Sequence, residues 1–247
     1  MHIDSHALAI VALTFLLAGI IQGVIGLGLS TISLAVLAVT IGLQPAMALL
    51  LAPSFVTQVW QALTGSHIWV ILTRLWPFML PAVVTIGLGV NLSSCIRLWA
   101  LIALLGVVLV AYAMIGLCDP RVLMPKRKAV WVHPLAGLLT GIYTGLTGAF
   151  EALALGYFQA VGLPRHQIVQ AIALVCMAST IGLAISLSDQ HLLTTELVMV
   201  SVGAVAPAVI GTVLGNHWRK QMPAARFRRV FFAALLILGL YVLTQSL

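Results

Sequence analysis

The sequence predicts an all-α polytopic membrane protein made of two inverted repeats, each a glycine-broken helical hairpin followed by three membrane-spanning helices. Three observations carry that expectation. Of the 247 residues, 62% are hydrophobic and 7% charged, and the mean hydropathy is +1.17. A soluble domain carries roughly 25% charged residues, so this chain cannot present a water-facing surface of ordinary polarity. Apolar stretches run from end to end, parted by short polar or basic loops, as expected of helices that cross a bilayer core. The third observation is a duplication. Shifted by 122 positions, LLAGIIQGVIG (16–26) lies over LLTGIYTGLTG (138–148), identical at six of eleven positions including all three glycines. Gly42-Leu43 then pairs with Gly162-Leu163, and PAVVTIGLG (81–89) with PAVIGTVLG (207–215). A repeat of this size in a membrane chain points to a transporter built from two halves. The first half is 1–117 and the second 134–247, joined by the basic stretch CDPRVLMPKRKAVWVH (118–133) as a cytoplasmic linker.

The first apolar stretch, 8–42, is followed by spans at about 46–64, 76–92 and 97–117, and the second half repeats the plan from 134–162 onward. At 1.5 Å per residue, 8–42 would reach roughly 50 Å as one helix, too long for a straight crossing of a core of about 30 Å. Breaks at Gly26/Gly28 and at Gly148 turn the two long stretches into hairpins. Charge supports the breaks. With unbroken stretches the twelve Lys and Arg divide five to seven between the two sides. With hairpins that return to their starting side, eleven gather together and only Arg97 stays apart, the asymmetry of the positive-inside rule. Both termini then fall outside, the 118–133 and 216–229 loops in the cytoplasm, and the acidic loop SDQHLLTTE (188–196) outside. The odd number of full crossings per half inverts the second half relative to the first. The arms 8–25 and 29–42 are short, which favours a partial dip over two full crossings. MHIDSHALAIVALTFLLAG lacks the Lys/Arg start of a signal peptide and a clear A-x-A site, and is read as part of the mature fold.

Several classes fall away. The formal charge of +7 comes from basic residues placed between spans, so it marks membrane orientation and not nucleic-acid binding. Cys95, Cys118 and Cys176 form no C-x-x-C pair. The seven histidines are scattered, mostly near span ends, without metal-ligand spacing, and no cofactor or metal is expected. No G-x-G-D or H-E-x-x-H motif supports an intramembrane enzyme.

GVIGLGLS (23–30) and QPAMALLLAPSF (44–55), echoed by GLTGAFE and LPRHQIVQA (163–171), resemble the TauE/SafE (TSUP) family of sulfite and sulfonate exporters. The resemblance covers nearly the whole chain, including the closing GTVLGNHWRKQMPAARFRRVFFAALLILGL. It implies export or exchange of a small anion, often sulfur- or carboxylate-containing, across a bacterial inner membrane. Two departures stand out. Leu29 and Ser30 follow Gly28 where family glycine runs continue, and Ala149, Phe150 and Glu151 replace the run in the second half. The site is therefore asymmetric.

Each break starts a half-helix whose first N–H groups have no intrahelical partner, and two inverted hairpins would aim two such N-termini at the midplane. The candidate substrate-binding residues are Gly26, Gly28, Ser30, Thr31, Gln58, Thr144, Thr147 and Gly148, with Gln22 a further amide donor. Gln58 and Gln61 lie on one helix face after Pro53 and equally serve to satisfy backbone freed by that proline. The earlier glycines, Gly19/Gly23 and Gly137/Gly141/Gly145, read better as close helix packing. Glu151 is the acidic residue set well inside an apolar stretch, a costly placement that reads as functional by default. Burial favours its neutral form and a helix N-terminus its charged form, so it is the candidate proton-coupling residue; a neutral, hydrogen-bonded structural Glu is the alternative. The expected partners are a small anion, protons and the lipid bilayer, with an anion channel of the same architecture as the rival reading. Nothing in the sequence fixes an oligomeric state.

Overall fold

A computed structural model describes residues 5–65, 67–118, 126–219 and 224–246, and the regular structure there is entirely helical. Ten helices follow one another: α1 (Ser5–Ile25), α2 (Leu29–Thr40), α3 (Leu43–Thr64), α4 (Ile68–Ser93), α5 (Leu98–Cys118), α6 (Lys126–Thr147), α7 (Glu151–Ala160), α8 (Arg165–Asp189), α9 (Thr195–Arg219) and α10 (Ala224–Ser246). Among the described residues, α1, α3, α4, α5, α8 and α9 are long and apolar enough to cross a membrane. Large apolar side chains such as Leu63, Trp69, Val84 and Met199 are more than half exposed, the outward face of a protein solvated by lipid.

Both predicted breaks are present, at 26–28 and at 148–150. Gly26, Gly28 and Gly148 have φ of 88°, 113° and 78°, a left-handed backbone that costs a residue with a Cβ about 1–2 kcal/mol. The arms are unequal, however. At 21 residues, α1 is about 32 Å long and its Leu8–Ile25 stretch suffices for a crossing, whereas α2 has 12 residues and about 18 Å. Two further boundaries differ from the sequence expectation. Helix α4 begins at Ile68 and not near 76, carrying Arg74 on its exposed face. Helix α6 begins at Lys126, so the end of the expected linker is its first two turns; residues 119–125, Arg121 among them, and Lys220 lie outside the described residues.

Apolar helices gain nothing by hiding from lipid, so their association rests on close packing and hydrogen bonds, which small residues permit. Here the glycines do this by exchange between the halves. Helix α1 packs along α9, and α6, its repeat partner, packs along α4. A Cβ on Gly19 or Gly23 would overlap the carbonyl oxygens of Ala208 or Thr212; one on Gly141 or Gly145 would overlap those of Ala82 or Ile86. From the other side, Gly215 faces Ile20 O as Gly89 faces Ile142 O. Where Gly211 abuts Leu16 O, its counterpart Thr85 donates to Leu138 O at 3.1 Å. The earlier glycines of each series are thus packing residues, as their spacing predicts. Helices α3 and α8 are the most buried candidate spans and pack on each other at the centre. Pro53 inside α3 leaves the carbonyl of Leu49 without its helix donor, and the Ser201 hydroxyl of α9 donates to it at 2.9 Å.

Candidate functional site

The two breaks meet inside the protein. Gly26 packs against Val169 of α8, and Gly148 against Met47 of α3, residues that are themselves 122 positions apart. From Gly148 the chain turns into α7, whose first residue is Glu151. The far end of α7 is anchored by Tyr157, which stacks on Phe78 with ring centroids 4.8 Å apart and hydrogen-bonds the ring of His133. Glu151 is thereby aimed at the first break. Its Oε2 accepts the backbone N–H of Gly28 at 2.6 Å and the Thr31 hydroxyl at 3.1 Å, and its Oε1 accepts Gln58 Nε2 at 3.4 Å.

The Gly28 N–H is a free donor because Gly28 caps α2 and has no intrahelical acceptor there. The Ser30 hydroxyl lies beside the same carboxylate but outside hydrogen-bond geometry, and it has no other partner. A second amide chain braces the break: Gln22 Nε2 donates to Gln61 Oε1 at 3.3 Å, and Gln61 Nε2 to the carbonyl of Gly26 at 3.1 Å. The centre is closed. Gln22, Ser30, Thr31, Gln58 and Glu151 are each no more than 1% exposed.

Of the residues singled out from sequence, Gly28, Ser30, Thr31, Gln58 and Glu151 come together, with Gly26 one step behind through Gln61. Thr144 and Thr147 do not reach this cluster. Thr144 donates to Ala149 O at 3.5 Å; Thr147 donates to Tyr143 O at 2.8 Å and accepts from the Ala149 N–H at 3.4 Å. They shape the second break, as does Gly148, whose N–H returns to Thr144 O at 2.7 Å. Neither glutamine serves backbone freed by Pro53: Gln61 braces the first break through Gly26 O, Gln58 turns to Glu151, and the freed Leu49 carbonyl takes the Ser201 hydroxyl.

Two neighbours escaped sequence reasoning. Tyr112 of α5 and Cys176 of α8 are buried within electrostatic range of Glu151, and the Tyr112 hydroxyl has no partner. Cys176 stands 122 positions after the buried Ser54, a register that would have found it. For Tyr112 the only signal is a phenol inside an apolar helix, which usually needs a partner when buried.

Electrostatically the centre suits one negative charge. Each helix N-terminus carries about half a positive charge. Glu151 receives the N-terminus of α2 through Gly28 and sits in the first turn of α7. Two such termini balance about one anion.

A multi-pass helical membrane protein whose two broken helices enclose a polar, anion-compatible centre has the build of a membrane transporter. More specifically, a family model described as "Sulfite exporter TauE/SafE" matches residues 11–242, nearly the whole chain, and the chain belongs to that family. The family consists of membrane transporters, not enzymes. No curated protein and no solved structure matches the chain.

Proposed function

We propose that the chain is a secondary transporter that exports or exchanges a small (organo)sulfur or carboxylate anion across a bacterial inner membrane, with Glu151 taking up a coupled proton. The observation that carries this reading is the hydrogen bond from the Gly28 N–H to the Glu151 carboxylate, which joins the two breaks at one anion-binding point. A substrate anion using the same donors would stand about 4 Å from an ionised Glu151. Two unit charges at that distance repel by about 4 kcal/mol at an effective dielectric of about 20, about a thousandfold in affinity. Protonating Glu151 removes this repulsion, so anion binding and proton uptake favour each other.

The exchanged helix pairs, α1 with α9 and α6 with α4, favour two halves inserted in opposite orientations. The basic residues fit that topology: Arg74, Lys126, Arg127, Lys128, Arg165, Arg219, Arg226, Arg228 and Arg229 all lie near the α3–α4, α5–α6, α7–α8 and α9–α10 connections. Those connections are then cytoplasmic and both termini external. The closed centre favours an alternating carrier over an open channel. The test is counterflow in proteoliposomes with sulfite, thiosulfate, sulfonates and small carboxylates at two pH values. Saturable counterflow of one of these is expected, stronger at the lower pH, and Glu151→Gln should remove the pH dependence. Non-saturable flux without counterflow would make the protein a channel; unchanged pH dependence in the variant would remove the proton role.

A further inference from the structure

The carboxylate of Glu151 is placed as a bound ligand would be. It takes one main-chain donor and one hydroxyl from α2 and one amide from α3, so donors from two helices converge on a side chain supplied by a third. Tyr112 of α5 and Cys176 of α8 are the other titratable groups facing it, and among the described residues no Lys or Arg does so. Donor capacity is left over: the buried hydroxyls of Ser30 and Tyr112 have no partner. Gln58 Oε1 has no donor either, although its own Nε2 serves the carboxylate. A half-turn of that amide would let it accept from a protonated Glu151, so one side chain can serve both protonation states.

We propose that Glu151 is the site's resident anion: a tethered carboxylate that holds the donors of Gly28, Thr31 and Gln58 until a small, singly charged oxyanion displaces it. The identity of that anion as the transported substrate rests on the transporter reading above; the displacement itself does not. In this scheme protonation does two things. It removes the charge that would repel the entering anion, and it loosens the side chain's hold on the donors, because hydrogen bonds to a charged acceptor are roughly twice as strong as neutral ones. The repeat partner of Glu151 is Leu29, which carries no charge, so this competitor exists at one break only.

Truncating the tether tests the idea. In nanodisc-reconstituted protein near neutral pH, sodium formate should stabilise Glu151→Ala against heat and bind it at least about tenfold more tightly than wild type, while formamide should do neither. Formate binding equally well to wild type and variant, or failing to bind the variant, would overturn the proposal. Should Glu151→Ala not fold, Glu151→Gln keeps the shape without the charge: tighter formate binding than wild type at alkaline pH supports the resident anion, and equal binding refutes it. Wild-type counterflow is measured on the same preparations. If no anion is transported, the transporter reading falls while formate binding to the variants still decides whether Glu151 is a displaceable ligand.

Discussion

Replacing Gly141 by alanine should destabilise the protein by about 1–3 kcal/mol, and the same change at Gly203 should not. At Gly141 the new methyl would overlap both the carbonyl oxygen of Ala82 and the hydroxyl of Thr85, so α6 and α4 must part by roughly an ångström. A gap of that size forfeits a quarter to a half of each contact's attraction, itself about 0.1–0.2 kcal/mol per atom pair. Over the few dozen pairs along the seam, the loss is about 2 kcal/mol. Pushing Thr85 aside also endangers its bond to Leu138 O, worth about 1 kcal/mol. Against this stands the better helix propensity of alanine, up to about 1 kcal/mol. At Gly203 nothing lies within 4 Å of the added Cβ, so propensity acts alone and the variant should be slightly more stable. Thermal unfolding of the two variants in one detergent, side by side with Gly19→Ala, provides the comparison. Gly19, 122 positions before Gly141 and facing Ala208 O, should resemble Gly141. Equal shifts at Gly141 and Gly203 would refute the account of the seam.

Gly28→Ala should weaken anion binding by about tenfold or more, because a left-handed residue with a Cβ costs about 1–2 kcal/mol and the Cβ presses on Phe231, 3.1 Å away, so the donor moves; a binding titration reads this directly. Gln58→Leu removes one donor from the centre and should lower anion affinity by about five- to tenfold with little loss of stability. Thr147→Val, by contrast, loses bonds confined to the second break and should lower the melting temperature while leaving affinity near wild type. Cys95, exposed beside Arg97 at the α4–α5 connection, should react with a membrane-impermeant maleimide applied to intact cells; reaction only after permeabilisation would reverse the proposed orientation.

Much of this was legible in the sequence because glycines, charges and repeats are local signals. The breaks at Gly26/Gly28 and Gly148 follow from length and spacing, and Glu151 announces itself as a carboxylate in an apolar run. Five of the six long apolar helices, α3, α4, α5, α8 and α9, follow from hydropathy. What the sequence concealed is tertiary. Periodicity shows that Gly19 and Gly141 lie on packing faces, but not that each meets a helix from the opposite half. Thr144 and Thr147 sit as close to their break as Thr31 does to its own. A threonine in a helix readily turns back on its backbone, and only Thr31 finds a carboxylate in reach. The expectation of two short arms failed at α1, because Leu8–Ile25 alone is apolar and long enough for a crossing, whereas α2 with 12 residues is not.

The exchange of α1 and α6 between the halves also fixes an order of events during synthesis. Helix α6 meets α4 as soon as it enters the membrane, while α1 must wait for α9, which is completed nearly 200 residues after α1 ends. At about 5–20 residues per second that wait is roughly 10–40 s, during which the α1 glycine seam has only lipid for company. The α4–α6 pair is then the nucleus, and α1 finds its glycine seam only once α9 is in place. Neither half is a folding unit in its own right. A chain severed between α5 and α6 should give two inert fragments when made separately and a working protein when made together.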